Sequence, residues 1–551
     1  MQLADDRASE EFRSAIFLHR GSLLISLRSF ASGVKLTGPR CLVLAFLFGF
    51  ALRVFPEVVS FPNPIGFDTV FYAWRIKQGV VLFHWSELFG SWLLYGLLVP
   101  VYDFLRGDPF MILKVAVPFL FGVNACGVYY FASKALNWGS KKALFTALFF
   151  SFQVGVLSIS WGFYRNLLGL GILLFALPFL KNGVKNAGEF VALAGLSLLV
   201  VFAHEFATII LFVVGFGVVF YMFAKSERSG ALKIFSALVP AIAVVSGRIF
   251  TIVSPFSYTI PGPRVFMAFV PTGHYSGLLQ LFANYLGVFD TVQSYPSYLV
   301  LLSHVASLFV LLFVVVLPFV LVGFFRDRII DFWLGLLVLG SFGLVVFPWF
   351  SLDMWSRWML MLAYPFAFYV VNGVSRIMHS GGLGLPVFRR FPRVRLSMRT
   401  GKVLLAVSFS VGVLFMGCPL LFGAWGVVGL PTTVNYVPST MQSNSLPLCD
   451  VESAVNALRW VNVHMDGGTV FLGQDAFYWW GRLYLDESHA IVYFKDDFAG
   501  ALKSASDNGY KKLFFLWWNV DIGWYGMSVP SYFVRLQDFG RLSVYELGGA
   551  G

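Results

Sequence analysis

The sequence predicts a polytopic α-helical membrane protein of about eleven transmembrane helices, with a small extracytoplasmic α/β domain at its C-terminal end. Three observations carry that expectation. Apolar runs near the roughly 20 residues that cross a bilayer recur along the first three quarters of the chain. Lys and Arg collect in alternate gaps between those runs. After about residue 450 the pattern changes to short apolar strands alternating with helical segments. Composition agrees, because 58% hydrophobic residues against 12% charged, with a mean hydropathy of +0.76, lies far from a soluble globular balance.

Residues 1–40 are mixed and basic rather than apolar, which predicts a cytoplasmic segment without a cleavable signal peptide. Spans follow at 41–56, 109–131, 142–160, 165–180, 188–203, 206–224, 231–253, 298–325, 330–349, 357–378 and 403–425, giving a transmembrane domain over 41–425. Basic gaps hold Lys134, Lys141 and Lys142, then Lys181 and Lys185, then Lys225, Arg228 and Lys233, then Arg326 and Arg328, and finally Arg376 to Lys402. The positive-inside rule puts those gaps in the cytoplasm and residues 426–551 outside. The net charge of +12 is therefore a topology signal, and nucleic acid is not an expected partner.

Topology also decides "SELFGSWLLYGLLVPVYDFL" (86–105). If it crossed, every later basic gap would change sides, so an interfacial or re-entrant helix is expected within one long outer loop, 57–108. The apolar run 196–220 is broken only by His204 and Glu205, where the chain is expected to turn at the outer surface. A second outer loop covers 254–297. In the last region, "GTVFLG", "AIVYF" and "KKLFFLWW" alternate with helical stretches, which predicts a mostly parallel sheet. Four cysteines give neither a disulfide framework nor a zinc spacing.

Chemistry-bearing residues gather at the outer boundary. Asp68, in "NPIGFDTVFYAWRIKQG", has two readings: the N-cap of a helix from Thr69 to about Gln78, or a general base at a cavity mouth. Glu57 and Asp103 are weaker candidates in the same loop. Arg53, Arg165, Arg264 and Arg357 stand on the face opposed to the basic trend, as headgroup-snorkelling residues or as ligands for a lipid phosphate, whose oxygens match the guanidinium fork. His204, Glu205 and Asp353 are candidates for an acceptor or metal site, or the polar apex of a helix hairpin. Trp479, Trp480 and Tyr484 suit either sugar stacking or a core stripe, the latter being preferred.

"PIGFDTVFYAWRI", "YRNLLGLGILLFAL", "AHEFAT" and "SRWMLMLAYPFAFY" together resemble archaeal membrane proteins of the GT-C glycosyltransferase superfamily. The resemblance implies a donor sugar on a polyprenyl phosphate, with an acid in the first outer loop acting near the acceptor, a role that falls on Asp68. The turn "SWGFYRN" (160–166) lacks a second acid, so no cofactor is firmly implied and a divalent metal is unsupported. "WWNVD" (517–521) differs in place and spacing from the oligosaccharyltransferase signature and is read as a chance aromatic cluster. The implied function is transfer of a sugar to a glycan, lipid or protein acceptor on the outer face of the cell membrane. Rival readings are a transporter or lipid flippase, favoured by a charged pathway through the spans, and a non-catalytic relative serving as a subunit.

Overall fold

The computed structural model describes residues 37–79, 89–253, 264–267, 298–346, 355–380, 382–384, 395–421, 445–494, 497–519 and 528–547. Its helices are α1 (Gly38–Val59), α2 (Thr69–Gln78), α3 (Leu93–Leu105), α4 (Pro109–Lys134), α5 (Ser140–Ser151), α6 (Val154–Ile159), α7 (Tyr164–Asn182), α8 (Ala187–Ala203), α9 (Glu205–Ala224) and α10 (Arg228–Val253). After the strand β1 (Arg264–Met267) come α11 (Tyr298–Phe313), α12 (Leu317–Gly323), α13 (Arg328–Val346), α14 (Trp355–Met361) and α15 (Ala363–Ser380). A short hairpin, β2 (Gly382–Gly384) and β3 (Arg395–Ser397), precedes α16 (Met398–Leu421).

The chain is a multi-pass membrane protein. Among the described residues seven helices are long and apolar enough to cross a membrane, or eight if α11 and α12 form one span bent by 76°. Two of the expected spans, 298–325 and 142–160, are thus not straight helices. The first breaks where Pro318 begins α12, since proline lacks an N–H and clashes with the preceding turn. The second breaks at Phe152 and Gln153, where α16 comes so near that a Cβ on Gly412 would overlap the Phe152 carbonyl. The expected span 188–203 is the 17-residue α8. At 13 residues, α3 reaches about 20 Å, short of a hydrocarbon core of about 30 Å, as expected for 86–105.

Small residues and a few polar staples hold the bundle. Gly323 and Gly373 let α12 and α15 touch backbone to backbone, and a Cβ on either would overlap a main-chain oxygen of the other helix. Asn124, fully buried on α4, donates to the Leu120 and Leu167 carbonyls at 2.9 and 2.8 Å and accepts from the Tyr364 hydroxyl at 2.8 Å. One side chain thereby joins α4, α7 and α15 without leaving a polar atom bare in an apolar setting.

The C-terminal α/β domain contains α17 (Leu448–His464), β4 (Thr469–Gln474), α18 (Tyr478–Tyr484), β5 (Ala490–Phe494), α19 (Phe498–Asp507), β6 (Lys512–Trp518), β7 (Phe533–Asp538) and β8 (Leu542–Leu547). Sheet order is β1-β5-β4-β6-β8-β7. The four strands β1, β5, β4 and β6 are parallel, and β8 and β7 continue the sheet antiparallel. β4 is buried at every residue, as a central parallel strand covered on both faces requires. The expected parallel core is present, whereas β1, β7 and β8 extend beyond it. β1 comes from the expected loop 254–297 and pairs Arg264 with Ala490. α18 seats the domain on α2: Trp479 packs against Phe71 and Trp74, with ring centroids 4.6 and 5.2 Å apart. Arg482 stands 4.1 Å over the Trp74 ring, and Lys77 Nζ donates to the Leu483 carbonyl at 2.9 Å.

Candidate functional site

The turn before α2 is fixed by Gly66, at φ 111°. A Cβ there would meet the Trp161 carbonyl at 2.5 Å and the Tyr164 hydroxyl at 2.6 Å, so no other residue allows this loop to lie on the turn between α6 and α7. Thr69 seals the contact, donating to the Ile65 carbonyl at 2.6 Å and hydrogen-bonding Tyr164. Asp68 is delivered to Gly162, where an added Cβ would stand 3.8 Å from its Oδ2.

α2 runs from Thr69 to Gln78, and Asp68 occupies its N-cap position, but the side chain makes no capping hydrogen bond. The bland reading of Asp68 therefore accounts for its place and not for its carboxylate. Burial pushes the group up from 3.8 to about 6, even though Arg357 and, less strongly, Arg165 pull the other way. Tyr72, one helical turn on, is also raised by burial, and its ring lies 4.7 Å from that of Tyr164. The Arg357 guanidinium stands 4.2 Å over Phe163, next to Gly162.

Arg165 is held from its other side. Its Nη1 is 4.0 Å from Glu205 Oε1 and 3.5 Å from the Ser91 carbonyl, while its Nε, buried, has no hydrogen-bond partner among the described residues. Glu205 Oε1 also accepts from Ser91 Oγ at 2.6 Å and lies 3.9 Å from Arg248 Nη1. Arg248 is fixed by the Phe89 and Val201 carbonyls at 2.7 and 2.9 Å. The expected turn falls at His204, extended at φ −163°, ψ 144°, whose Nδ1 accepts the Phe206 N–H at 3.1 Å and caps α9. Asp68, Arg165, Arg357 and Glu205 thus share one region, with Arg248 and Ser91 added to the expected set.

Other expected residues lie elsewhere. Arg53 is fully buried, 2.7 Å from Glu57, and donates to Ser160 Oγ and O at 3.1 and 3.2 Å, so it pins α1 to the 160–163 turn rather than meeting a lipid phosphate. Glu57 also holds Lys114 at 3.1 Å, and with Arg53 it forms a structural network. Asp103 is exposed on α3. Arg264 opens β1 in the sheet, and Asp353 lies outside the described residues. Trp480 is core, donating to Ser445 at 3.1 Å, and Trp517 and Trp518 are buried in β6. Among the described residues no three His, Cys, Asp or Glu side chains converge as metal ligands.

The site offers a buried carboxylate, pushed up to about 6, beside two guanidiniums. The first suits accepting a proton, the second receiving an anion.

No protein-family model matches the sequence, and no curated protein matches it. Solved structures do share its shape. The arabinofuranosyltransferase AftD from Mycobacteria matches with a TM-score of 0.50 at 11% identity, over 93% of this chain and 40% of that one. The oligosaccharyltransferase AglB from Archaeoglobus fulgidus matches at 0.43 and 12% identity, over 87% and 69% of the two chains. ArnT from Cupriavidus metallidurans matches at 0.41 and 13%, over 92% and 99%. The last two superpose too loosely to add weight, and at such identity the first speaks for the fold alone. On that evidence the chain shares its overall fold with the arabinofuranosyltransferase AftD.

Proposed function

We propose that this protein moves a sugar from a polyprenyl-phosphate carrier to an acceptor hydroxyl at the outer face of the membrane. One observation carries the reading: a carboxylate raised to about 6 shares its site with Arg357 and Arg165. The acceptor oxygen attacks the anomeric carbon and forms the glycosidic bond. The bond from that carbon to the phosphate oxygen breaks, and the acceptor proton passes to Asp68. The polyprenyl phosphate departs with the electron pair, and its new charge is met by the two arginines. A lipid-borne donor accounts for a site at bilayer level, and a fold shared with an arabinofuranosyltransferase supports sugar transfer. The transporter reading asks for charges forming a path through the spans. Lys114 and Arg248 are instead tied to Glu57 and Glu205 at the bundle end that holds Asp68.

The test is binding and transfer of radiolabelled polyprenyl-phosphate sugar in membranes. Arg165→Lys or Arg357→Lys keeps the charge but loses the planar fork, and should weaken donor binding about tenfold. Donor binding by the double Ala variant equal to wild type would remove the arginines from this role.

A further inference from the structure

Glu205 opens α9 beside the two arginines and carries no step of the transfer itself. Three donors converge on one of its oxygens. Ser91 Oγ donates to Oε1 at 2.6 Å, while Arg165 and Arg248 turn their Nη1 atoms to it from 4.0 and 3.9 Å. A charge-assisted hydrogen bond spans about 2.7–2.9 Å, so neither guanidinium is bonded to that oxygen. A carboxylate oxygen has two lone pairs, and the short Ser91 bond takes one, leaving one between two cations.

A phosphate answers these donors better. The phosphodiester of a lipid-linked sugar offers two unesterified oxygens, and the departing lipid phosphate offers three. Arg165 keeps one more buried N–H, on Nε, without a hydrogen-bond partner among the described residues. Arg248 is held by the Phe89 and Val201 carbonyls through Nε and Nη2, which leaves Nη1 turned to Glu205. Glu205 is the most open of the three, with 45% of its side chain exposed against 27% for Arg165 and 13% for Arg248. A second seat lies beside it. His204 Nδ1 accepts the Phe206 N–H, so the neutral ring carries its proton on Nε2, 3.7 Å from Glu205 Oε2.

We infer that Glu205 stands in for the donor phosphate, holding Arg165 and Arg248 until the phosphate binds and then moving onto His204. Two anions cannot share one pair of guanidiniums without strong repulsion, so one must give way. Arg248 thereby becomes a third phosphate ligand, and Glu205 a positioning residue that returns to help expel the spent carrier. This deepens the transfer reading, on which it rests.

The experiment uses the full chain in lipid nanodiscs. Farnesyl phosphate is the probe for the departing lipid phosphate, and inorganic phosphate is its lipid-free counterpart. Glu205→Gln keeps the length and an acceptor for Ser91 but removes the charge, and should bind farnesyl phosphate tighter by about fivefold or more. Its transfer should show a lower KM together with a lower kcat, because the spent carrier leaves more slowly. His204→Asn keeps a cap on α9 and loses the reach of Nε2. It should weaken binding about fivefold with Glu205 present and leave it unchanged in the Glu205→Gln background. Arg248→Gln should weaken binding about tenfold or more in that background, where only the phosphate contact is left to lose. Melting temperatures in the same nanodiscs put every affinity on a per-folded-molecule basis. Glu205→Gln binding no tighter than wild type, or His204→Asn acting alike in both backgrounds, would overturn the switch. The full cycle without transfer of lipid-linked sugar keeps the switch and removes the transfer reading. Transfer by wild type, with farnesyl phosphate bound equally by Glu205→Gln, does the reverse. Inorganic phosphate bound as tightly as farnesyl phosphate, with the same cycle, keeps the switch for free phosphate and removes the lipid donor.

Discussion

Asp68 carries a charge that folding disfavours. Its carboxyl holds a proton more tightly in the folded chain, at about 6, than at the ordinary 3.8, so stability falls as pH rises between those values and levels off above them. Two pH units of difference correspond to at most about 3 kcal/mol. Asp68→Asn should therefore raise the melting temperature at pH 7.5, and that gain should vanish near pH 4 in a thermal-shift assay. A lowered melting temperature at pH 7.5 would mean that pairing with Arg357 and Arg165 outweighs burial. Arg53 should behave oppositely. Arg53→Ala leaves Glu57 buried beside Lys114 alone and should cost on the order of 3 kcal/mol. Donor affinity per folded molecule should stay unchanged, whereas a selective loss of donor binding would return Arg53 to the phosphate site.

The element that matters most is the short piece from Gly66 to Gln78. Gly66→Ala would put a methyl into the Trp161 carbonyl and force a left-handed backbone on alanine, so transfer should fall at least tenfold as Asp68 moves off Gly162. Unchanged transfer would show that the loop is not held by this contact. This helix was legible in the sequence, since its start at Thr69 and its glycine stop at Gly79 follow from local pattern. The turn at His204 was legible too, as the only polar break in a long apolar run. What was not legible depends on partners far along the chain. Arg53 finds Ser160 across 107 positions, and Arg248 meets Glu205 from another helix. β1 is four residues long and becomes a strand only through its pairing with β5. The breaks at Phe152 and before Pro318 are marked in the sequence by one residue each, Gln153 and Pro318, inside runs otherwise apolar enough to read as single spans.

At the scale of the whole molecule, a membrane bundle and an α/β domain meet at α2, the helix that Asp68 begins. We propose that this domain lies outside the cell. In a Cys449→Ser background, a cysteine at Ser504 should react with an impermeant maleimide on intact cells and one at Ser397 should not. Labelling at Ser397 would invert the orientation. The central claim, that Asp68 takes the acceptor proton, is tested most directly by the pH profile of transfer in wild type and Asp68→Asn. A base with a pKa of about 6 predicts wild-type turnover that falls about tenfold per unit below that pH, and an Asn variant slower by about 100-fold or more at pH 7.5. An Asn variant that transfers sugar from the lipid-linked donor at the wild-type rate, with the same pH profile, would contradict it.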